Sequence, residues 1–271
     1  MKLYEDPIAL HLPRHAVTPR QVARAGELWR LFQVAAVEAS ARKGWPPHRF
    51  LATGAAFIVA NMTVVHEREA SYGETVWGRS WLRDFRRQMM ARREVCVLGE
   101  EGLIARASQQ WVYVDAQVRP QRAPAELVDS FAVHGGEDPP LALPAFERFE
   151  EARGPSRFAL SVWHTWMDPI GHVNHPVYVD WCDEAIAQVV GAAGLDAQAV
   201  VPVAERIRFR RGAVAGDQVV VLTEAIGRTE GGATVLRHRI EDPEGQPYAD
   251  ATTVRRLVDG TDLAGLWASA G

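Results

Sequence analysis

The sequence predicts an α+β protein in which one structural unit is made twice. Three observations carry this. A Gly/Pro-rich stretch, His134-Gly135-Gly136-Glu137-Asp138-Pro139-Pro140, interrupts the chain near its middle. On each side of it a proline opens an amphipathic helical pattern. After each helix, turn residues recur in the same order at nearly the same spacing, the mark of an internal repeat.

In the first half, the alternation from Ile8 to Leu12 reads as a short strand. Thr18-Pro19-Arg20-Gln21 then has the Thr-x-x-Gln form of a capping box, which predicts a helix starting at Pro19. Val22, Ala25, Trp29, Phe32, Ala36 and Ala39 follow at three- and four-residue steps and give that helix one apolar stripe. In the second half, Phe158 to Trp166 reads as the opening strand and Pro176 as the helix start. Val177, Trp181, Ala185 and Val189 share its buried face, and Gly191 and Gly194 stand near its end.

Strand-like segments follow each helix with matching punctuation. Gly73-Glu74-Thr75-Val76 corresponds to Gly216-Asp217-Gln218-Val219, and the next turn glycine, Gly102 or Gly245, comes 29 positions later in both halves. Ala105, Ala107 and Asp115 match Ala249, Ala251 and Asp259 at a common shift of 144. Duplication explains this order of matches better than chance. One long helix wrapped by an antiparallel meander of about four or five strands, made in tandem, is the double hotdog pattern, since each sheet needs its helix as a cover. The expected units are residues 1–133 and 147–271, joined by a linker at 134–146.

With 271 residues, 47% of them hydrophobic and 24% charged, the chain can bury an ordinary core, which excludes disorder and collagen-like structure. A net charge of -4 argues against a general nucleic-acid binder. Two cysteines, Cys96 and Cys182, are too few for a disulfide framework. The start of the chain has no apolar signal core, and its apolar runs fall far short of the roughly 18 residues of a membrane span. The expectation is a cytoplasmic protein that binds neither nucleic acid nor membrane.

The most informative segment is Trp166-Met167-Asp168-Pro169-Ile170-Gly171-His172-Val173-Asn174-His175-Pro176-Val177-Tyr178, which joins the first strand of the second half to its helix. A carboxylate, an imidazole and an amide here stand beside a helix N-terminus, where backbone N–H groups and the helix dipole favour developing negative charge. Such an arrangement suits acyl chemistry. Asp168 acts either as general base on water or as a nucleophile forming an anhydride, and the amides of Val173 and Asn174 are candidate oxyanion donors. Each residue also has a structural reading. Asp168 before Pro169 shapes a turn, His172 holds a loop carbonyl, and Asn174 or His175 caps the helix. Asp183 and Glu184 lie on that helix, where a solvated or interface position is the default. His164, His172 and His175 lack the acids or thiols of a metal set, so neither metal nor cofactor is expected.

The spacing Asp168, Gly171, Val173, Tyr178, Asp183, Ala185 resembles the 4-hydroxybenzoyl-CoA thioesterase-like hotdog enzymes, in which the Asp before the turn is the catalytic carboxylate. Asp168, His172, Val173 and Asn174, read as Asp-x-x-x-His-Val-Asn, more closely resemble the acyl-ACP thioesterases of plants and bacteria, which are fused double hotdogs. In the first half, Tyr72-Gly73-Glu74, Ser80-Trp81 and Arg92-Arg93-Glu94 are similar to that family in the same order. The resemblance implies catalysis by Asp168 with His172 and Asn174 as partners, and Tyr178 at the substrate. It also implies a first half that has lost the motif and forms the acyl-pocket side, with Pro13 to Pro19 in the motif's place. Two departures stand out. Ile170 occupies the place of a family Asn, and Phe209-Arg210-Arg211-Gly212-Ala213 stands where the family has Tyr-Arg-Arg-Glu-Cys, without the acid or the thiol.

Arg86 and Arg87 in the first half, and Arg206, Arg208, Arg210 and Arg211 in the second, form either solvated sheet faces or a basic surface. Such a surface suits both the phosphates of coenzyme A and an acidic carrier protein. The leading expectation is therefore a thioesterase releasing free fatty acid from an acyl-ACP, with Arg86, Arg87, Arg210 and Arg211 as carrier contacts. Acyl-CoA is the neighbouring alternative substrate. A hotdog hydratase or dehydratase and a non-catalytic acyl-binding accessory protein are the other readings. Since a fused pair already contains the pairing of a dimer, either a monomer or a homodimer is expected.

Overall fold

Alternation in the strands and three-four spacing in the helices build the same elements twice. The computed structural model describes residues 6–135 and 140–268. It divides between Leu141 and Ala142, with Thr18–Arg20 grouped with the second unit. The first unit contains β1 (Ile8–Leu10), α1 (Ala25–Arg42), α2 (Pro47–Ala52), β2 (Ala55–His66), β3 (Val76–Arg86), β4 (Met90–Gly99), β5 (Gly102–Asp115) and α3 (Ala125–Ser130). The second contains β6 (Phe146–Ser161), α4 (Val177–Ala192), β7 (Val200–Phe209), β8 (Gln218–Thr229), β9 (Thr234–Glu241), β10 (Pro247–Leu257) and the short α5 (Gly265–Ala268).

Within the first unit the strands run antiparallel in the order β1-β3-β4-β5-β2, and within the second in the order β6-β8-β9-β10-β7. The permutation is the same in both. The turn glycines that revealed the repeat, Gly102 and Gly245, both adopt positive φ (102 and 82), a backbone that a Cβ would strain.

In the first unit α1 buries Leu28, Trp29, Phe32, Ala35 and Ala36, and it packs on β3 and β4. In the second, α4 buries Val177, Tyr178, Trp181, Cys182, Ala185, Ile186, Val189 and Val190. Its Ile186, Val189 and Val190 share a core cluster with Ala225 of β8, Leu236 of β9, Leu257 of β10 and Trp267 of α5. Burying a Val, Leu or Ile side chain stabilises by about 1.5–3 kcal/mol, so this stripe is what holds the helix on the sheet. Among the described residues no helix is long and apolar enough to cross a membrane.

Two expected boundaries move. The helix expected at Pro19 begins at Ala25. Thr18 Oγ1 accepts from the amide of Arg20 (3.2 Å), and Gln21 takes a left-handed conformation (φ 62), so the capping-box letters form a turn instead. The strand expected over 158–166 instead covers Phe146–Ser161, and His164–Trp166 is a single 3-10 turn. Residues 136–139 of the expected linker lie outside the described residues, and its last residue, Phe146, already belongs to β6.

Candidate active site

The site loop is fixed by its own backbone before any side chain contributes. Met167 and Val173 pair as an isolated antiparallel bridge, and the amide of Asp168 donates to the carbonyl of His172 (2.7 Å). Gly171, with φ 82, turns the chain between them. The amide of Asn174 reaches back to the carbonyl of Trp166 (2.9 Å). The Trp166 ring stacks on Trp163 (5.0 Å between centroids) and meets Trp181 of α4 edge-on (5.8 Å), which ties the loop to the helix. Pro176 precedes the first residue of α4, as its fixed φ favours.

Asp168 is half-buried, and its two oxygens have different tasks. Oδ1 accepts from the amides of Ile170 (3.0 Å) and His172 (3.3 Å). Oδ2 takes part in neither bond, and the amide of Gly171 also faces the carboxylate. Burial pushes the Asp168 carboxyl above its ordinary range, against the amides of His172 and Ile170, which favour the charged form. One oxygen therefore shapes the turn, as the structural reading has it, and the other takes no part in those two bonds.

The His172 imidazole lies against Gly212. A Cβ at Gly212 would stand 2.3 Å from His172 Cδ2 and 2.6 Å from Cγ. Position 212, which reads in the sequence as a missing acid, is thus the seat of the ring. His172 meets Asp168 through its backbone, by the amide to Oδ1 and the carbonyl to the Asp168 amide; no hydrogen bond links the ring to Asp168. Asn174 contributes its carbonyl to the amide of Val177 (3.0 Å) at the entry to α4. His175 packs edge-on against Phe209 (6.1 Å).

The segment bearing Gly212 is pinned on both flanks. Ala213 accepts from the amide of Val173 (2.9 Å) and donates its own amide to the hydroxyl of Tyr178 (3.0 Å). Beyond it, Asp217 Oδ2 accepts from the Val214 amide (3.0 Å) and from the Tyr248 hydroxyl (2.8 Å). Arg211 pairs with Asp242 (2.7 Å) and lies over the Tyr248 ring (4.1 Å). Apart from the local Val214–Asp217 contact, none of these supports was legible beforehand, because each joins segments tens of residues apart.

Three sequence expectations change at this point. The Val173 and Asn174 amides, expected as oxyanion donors, are already committed to Ala213 and Trp166. Tyr178, expected at the substrate, is 2% exposed, and its ring packs between Trp181 and Phe209 (4.6 and 5.2 Å). Burial pushes its hydroxyl up to about 12, so it is a neutral structural acceptor. Asp183, expected at a solvated or interface position, keeps its side chain 34% exposed but also accepts from Arg255, which is 1% exposed and bonds the fully buried Glu205 (2.5 Å). This three-charge cluster braces α4 against β10 and β7.

Arg210 is exposed and pairs with Asp250 (2.7 Å). In the first unit Arg86 and Arg87 are exposed at the β3–β4 turn, with Arg86 against Asp84 (3.3 Å). Among the described residues, no group of three or more His, Cys, Asp or Glu is placed to hold a metal ion. Both cysteines are buried and free, with Cys182 inside α4 rather than at the site loop.

Residues 162–264, which include the whole site, match the model of the Thioesterase-like superfamily. No curated protein sequence matches the chain. Among solved structures, a protein assigned as an oleoyl thioesterase from Lactobacillus plantarum is similar with a TM-score of 0.76 at 18% identity, covering 93% of this chain and 96% of that one. An acyl-ACP thioesterase from Bacteroides thetaiotaomicron gives 0.72 at 12% identity, with 93% and 97% covered. The 12:0-ACP thioesterase from Umbellularia californica gives 0.72 at 16% identity, with 93% and 94% covered. These likenesses show the fold: the chain is a double hotdog.

Proposed function

We propose that this chain hydrolyses an acyl-ACP thioester to a free fatty acid and the thiol of the holo-carrier. The observation that carries the reading is the divided carboxylate of Asp168, one oxygen held by the amides of Ile170 and His172 and the other outside those bonds, in a unit that matches a thioesterase-like model. A thioester needs a base for water, a donor for the developing oxyanion and a proton for the leaving thiolate.

Asp168 Oδ2 takes a proton from water as the hydroxide attacks the thioester carbonyl. The tetrahedral intermediate expels the thiolate, and the same carboxyl returns the proton to sulfur, so protons and electrons balance. A carboxyl raised by burial is suited to both steps, since its proton affinity lies closer to the working pH. For the oxyanion, the Gly212 amide carries no hydrogen bond among the described residues and stands beside the His172 ring. It replaces Val173 and Asn174 in our assignment, and the N-terminal end of α4 adds favourable potential. His172 orders the attacking water, and Asn174 holds the loop at the helix entry.

The test offers purified protein a panel of acyl-ACP and acyl-CoA substrates, following thiol release and enoyl absorbance, beside Asp168→Asn. Thiol release from acyl-ACP that the substitution abolishes is expected. Preference for acyl-CoA would correct the carrier. A change in enoyl absorbance without thiol release would replace hydrolysis by hydration chemistry, and acyl binding with no turnover in either assay would make the chain an accessory protein.

A further inference from the structure

The second unit's sheet has two faces of opposite character. Toward α4, Ile207, Ala251, His238 and Thr223 stand in register across β7, β10, β9 and β8, all buried. One residue along each strand, on the face away from the helix, the row is Arg208, Asp250, Arg239, Leu222 and, on β6, Arg157. The next row is Arg206, Thr252, Arg237 and Glu224. With Arg210 beside Asp250, six exposed arginines occupy this face. Two of them are neutralised, Arg210 by Asp250 and Arg237 by Glu224. Arg157, Arg206, Arg208 and Arg239 carry no ion pair among the described residues. Glu241 lies on the same face, two residues beyond Arg239. On a chain of net charge -4, a face with six guanidinium groups against the three carboxylates of Asp250, Glu224 and Glu241 still carries a net positive local field.

We infer that this face of the second sheet is a docking surface for an acidic helix of a partner protein, which on the thioesterase reading above is the carrier that presents the acyl group. Spacing decides the partner class. Neighbouring strands stand about 4.8 Å apart and alternate residues along a strand about 7 Å apart. Carboxylates at i, i+3 and i+4 on a helix are about 5–6 Å apart, so such a helix laid on the sheet meets several arginines at once. A coenzyme A phosphate needs donors that converge on one point, whereas these side chains stand roughly perpendicular to a pleated face and side by side. The face also leads to the site, because β7, which carries Arg206 and Arg208, ends at Phe209 and continues through Arg210 and Arg211 to Gly212, which seats His172. A helix held there delivers its appended thioester toward Asp168.

The test uses the full chain with Arg157→Glu and Arg239→Glu together, two exposed positions outside the site loop. Binding of holo-acyl carrier protein, which bears no acyl group, is measured by fluorescence anisotropy, and hydrolysis is measured on acyl-ACP, acyl-CoA and a short acyl-pantetheine. The expected result is holo-carrier binding weakened about tenfold or more, with KM for acyl-ACP rising in parallel and kcat unchanged, since like-charge juxtaposition is strongly unfavourable. Acyl-pantetheine turnover stays as in the parent. Binding by the parent also falls steeply between about 0.01 and 1 M salt, as the Debye length shrinks from about 30 to 3 Å. Unchanged carrier binding in the double variant overturns the inference, as does an equal rise in KM for acyl-CoA, which would make the face a phosphate site. If the parent binds holo-carrier through this face yet hydrolyses no acyl-ACP, the docking surface stands and the hydrolase reading falls.

Discussion

Substituting Gly212 with alanine tests the site through a single methyl group. The added Cβ would lie 2.3 Å from His172 Cδ2, 2.6 Å from Cγ and 3.0 Å from Cβ, where ordinary contact begins at 3.4 Å. The ring must therefore withdraw by about 1 Å, and a displacement of that size at a reacting centre costs about 10²-fold in rate. Rotation about χ1 moves Cγ and Cδ2 but not Cβ, so part of the strain passes to the backbone. That backbone is held by the Val173 amide on Ala213 and the His172 amide on Asp168. Overpacking of this kind costs about 1–3 kcal/mol of stability. Thiol release from acyl-ACP should fall about 10²-fold in kcat/KM, with a modest drop in thermal midpoint. The control is the same substitution in a His172→Ala background, where Cδ2 and Cγ are gone and only the 3.0 Å contact with Cβ remains. There it should cost much less than in the parent, a coupling that a double-mutant cycle reads directly. Near-parental kcat/KM for Gly212→Ala, or the same loss in both backgrounds, would refute the claim that Gly212 works by seating the imidazole.

Three further outcomes follow from the same geometry. Asp168→Asn keeps an oxygen for both turn amides and removes the charge that burial disfavours. Because the folded carboxyl is raised, stability is lost as pH rises from the ordinary aspartate value through the folded one. The variant should thus unfold at a higher temperature than the parent at neutral pH while releasing no thiol, and the gap should close in acid; parental activity should decline as the pH falls through the raised value. Tyr178→Phe leaves the buried Ala213 amide without its acceptor, so chemical denaturation should show a loss of about 1–3 kcal/mol together with lower kcat. His238 is buried between Thr223 and Thr253 (2.9 Å to each), and burial first, then the Arg255 charge, lowers it to about 3. Below the unfolded value near 6.5 the unfolded chain takes up a proton that the folded one refuses, so stability should fall by up to about 1.4 kcal/mol per pH unit toward pH 3. His238→Gln should flatten that slope; an unchanged slope would place the acid sensitivity elsewhere.

The start of α4 was legible because Pro176 and the stripe from Val177 to Val189 agree on it. The start of α1 was not. Thr18 and Gln21 satisfy the letters of a capping box, but Val22 bridges to Ser71 and Ala23 donates to Ala70 (2.9 Å), so tertiary pairing holds these residues extended until Ala25. β6 was legible only from Phe158. Upstream of it the register slips between Arg148, Arg153 and Ser156, which destroys the two-residue period that marks a strand. Asp168, His172 and Asn174 were legible as a constellation, yet the roles of the Val173 and Asn174 amides were not, because their acceptors are set by a bridge and a turn. Gly212 carries no positive signal in the sequence at all: its function is to be small against a ring forty positions away. Arg237 and Arg239 escaped notice for a related reason, since their kinship with Arg206 and Arg208 exists only across the registered strands.

On the proposed mechanism, the duplicated fold also explains why the site loop would carry chemistry in one unit and not the other. The backbone of the loop recurs at an offset of 150 positions: the 3-10 turn Arg14–Ala16 matches His164–Trp166, and the bridge Val17 to Ala23 matches Met167 to Val173. Thr18 then stands in the place of Asp168, and its Oγ1 accepts from Arg20 (3.2 Å) as Asp168 Oδ1 accepts from Ile170 (3.0 Å). Gln21 holds the left-handed conformation of Gly171, and Ala23 bonds Ala70 (2.9 Å) as Val173 bonds Ala213 (2.9 Å). The frame is therefore a folding device that stands without catalysis. What differs is the side chain available after the turn is made. A threonine spends its single oxygen on the turn and stays neutral at any working pH. An aspartate spends one oxygen on the same turn and keeps a second, partly desolvated and chargeable, for the reaction. With Val22 where His172 stands, the first loop has no imidazole either. The division of labour that the proposed mechanism assigns to the units thus comes down to one carboxylate oxygen and one ring, placed on a backbone that both halves build alike.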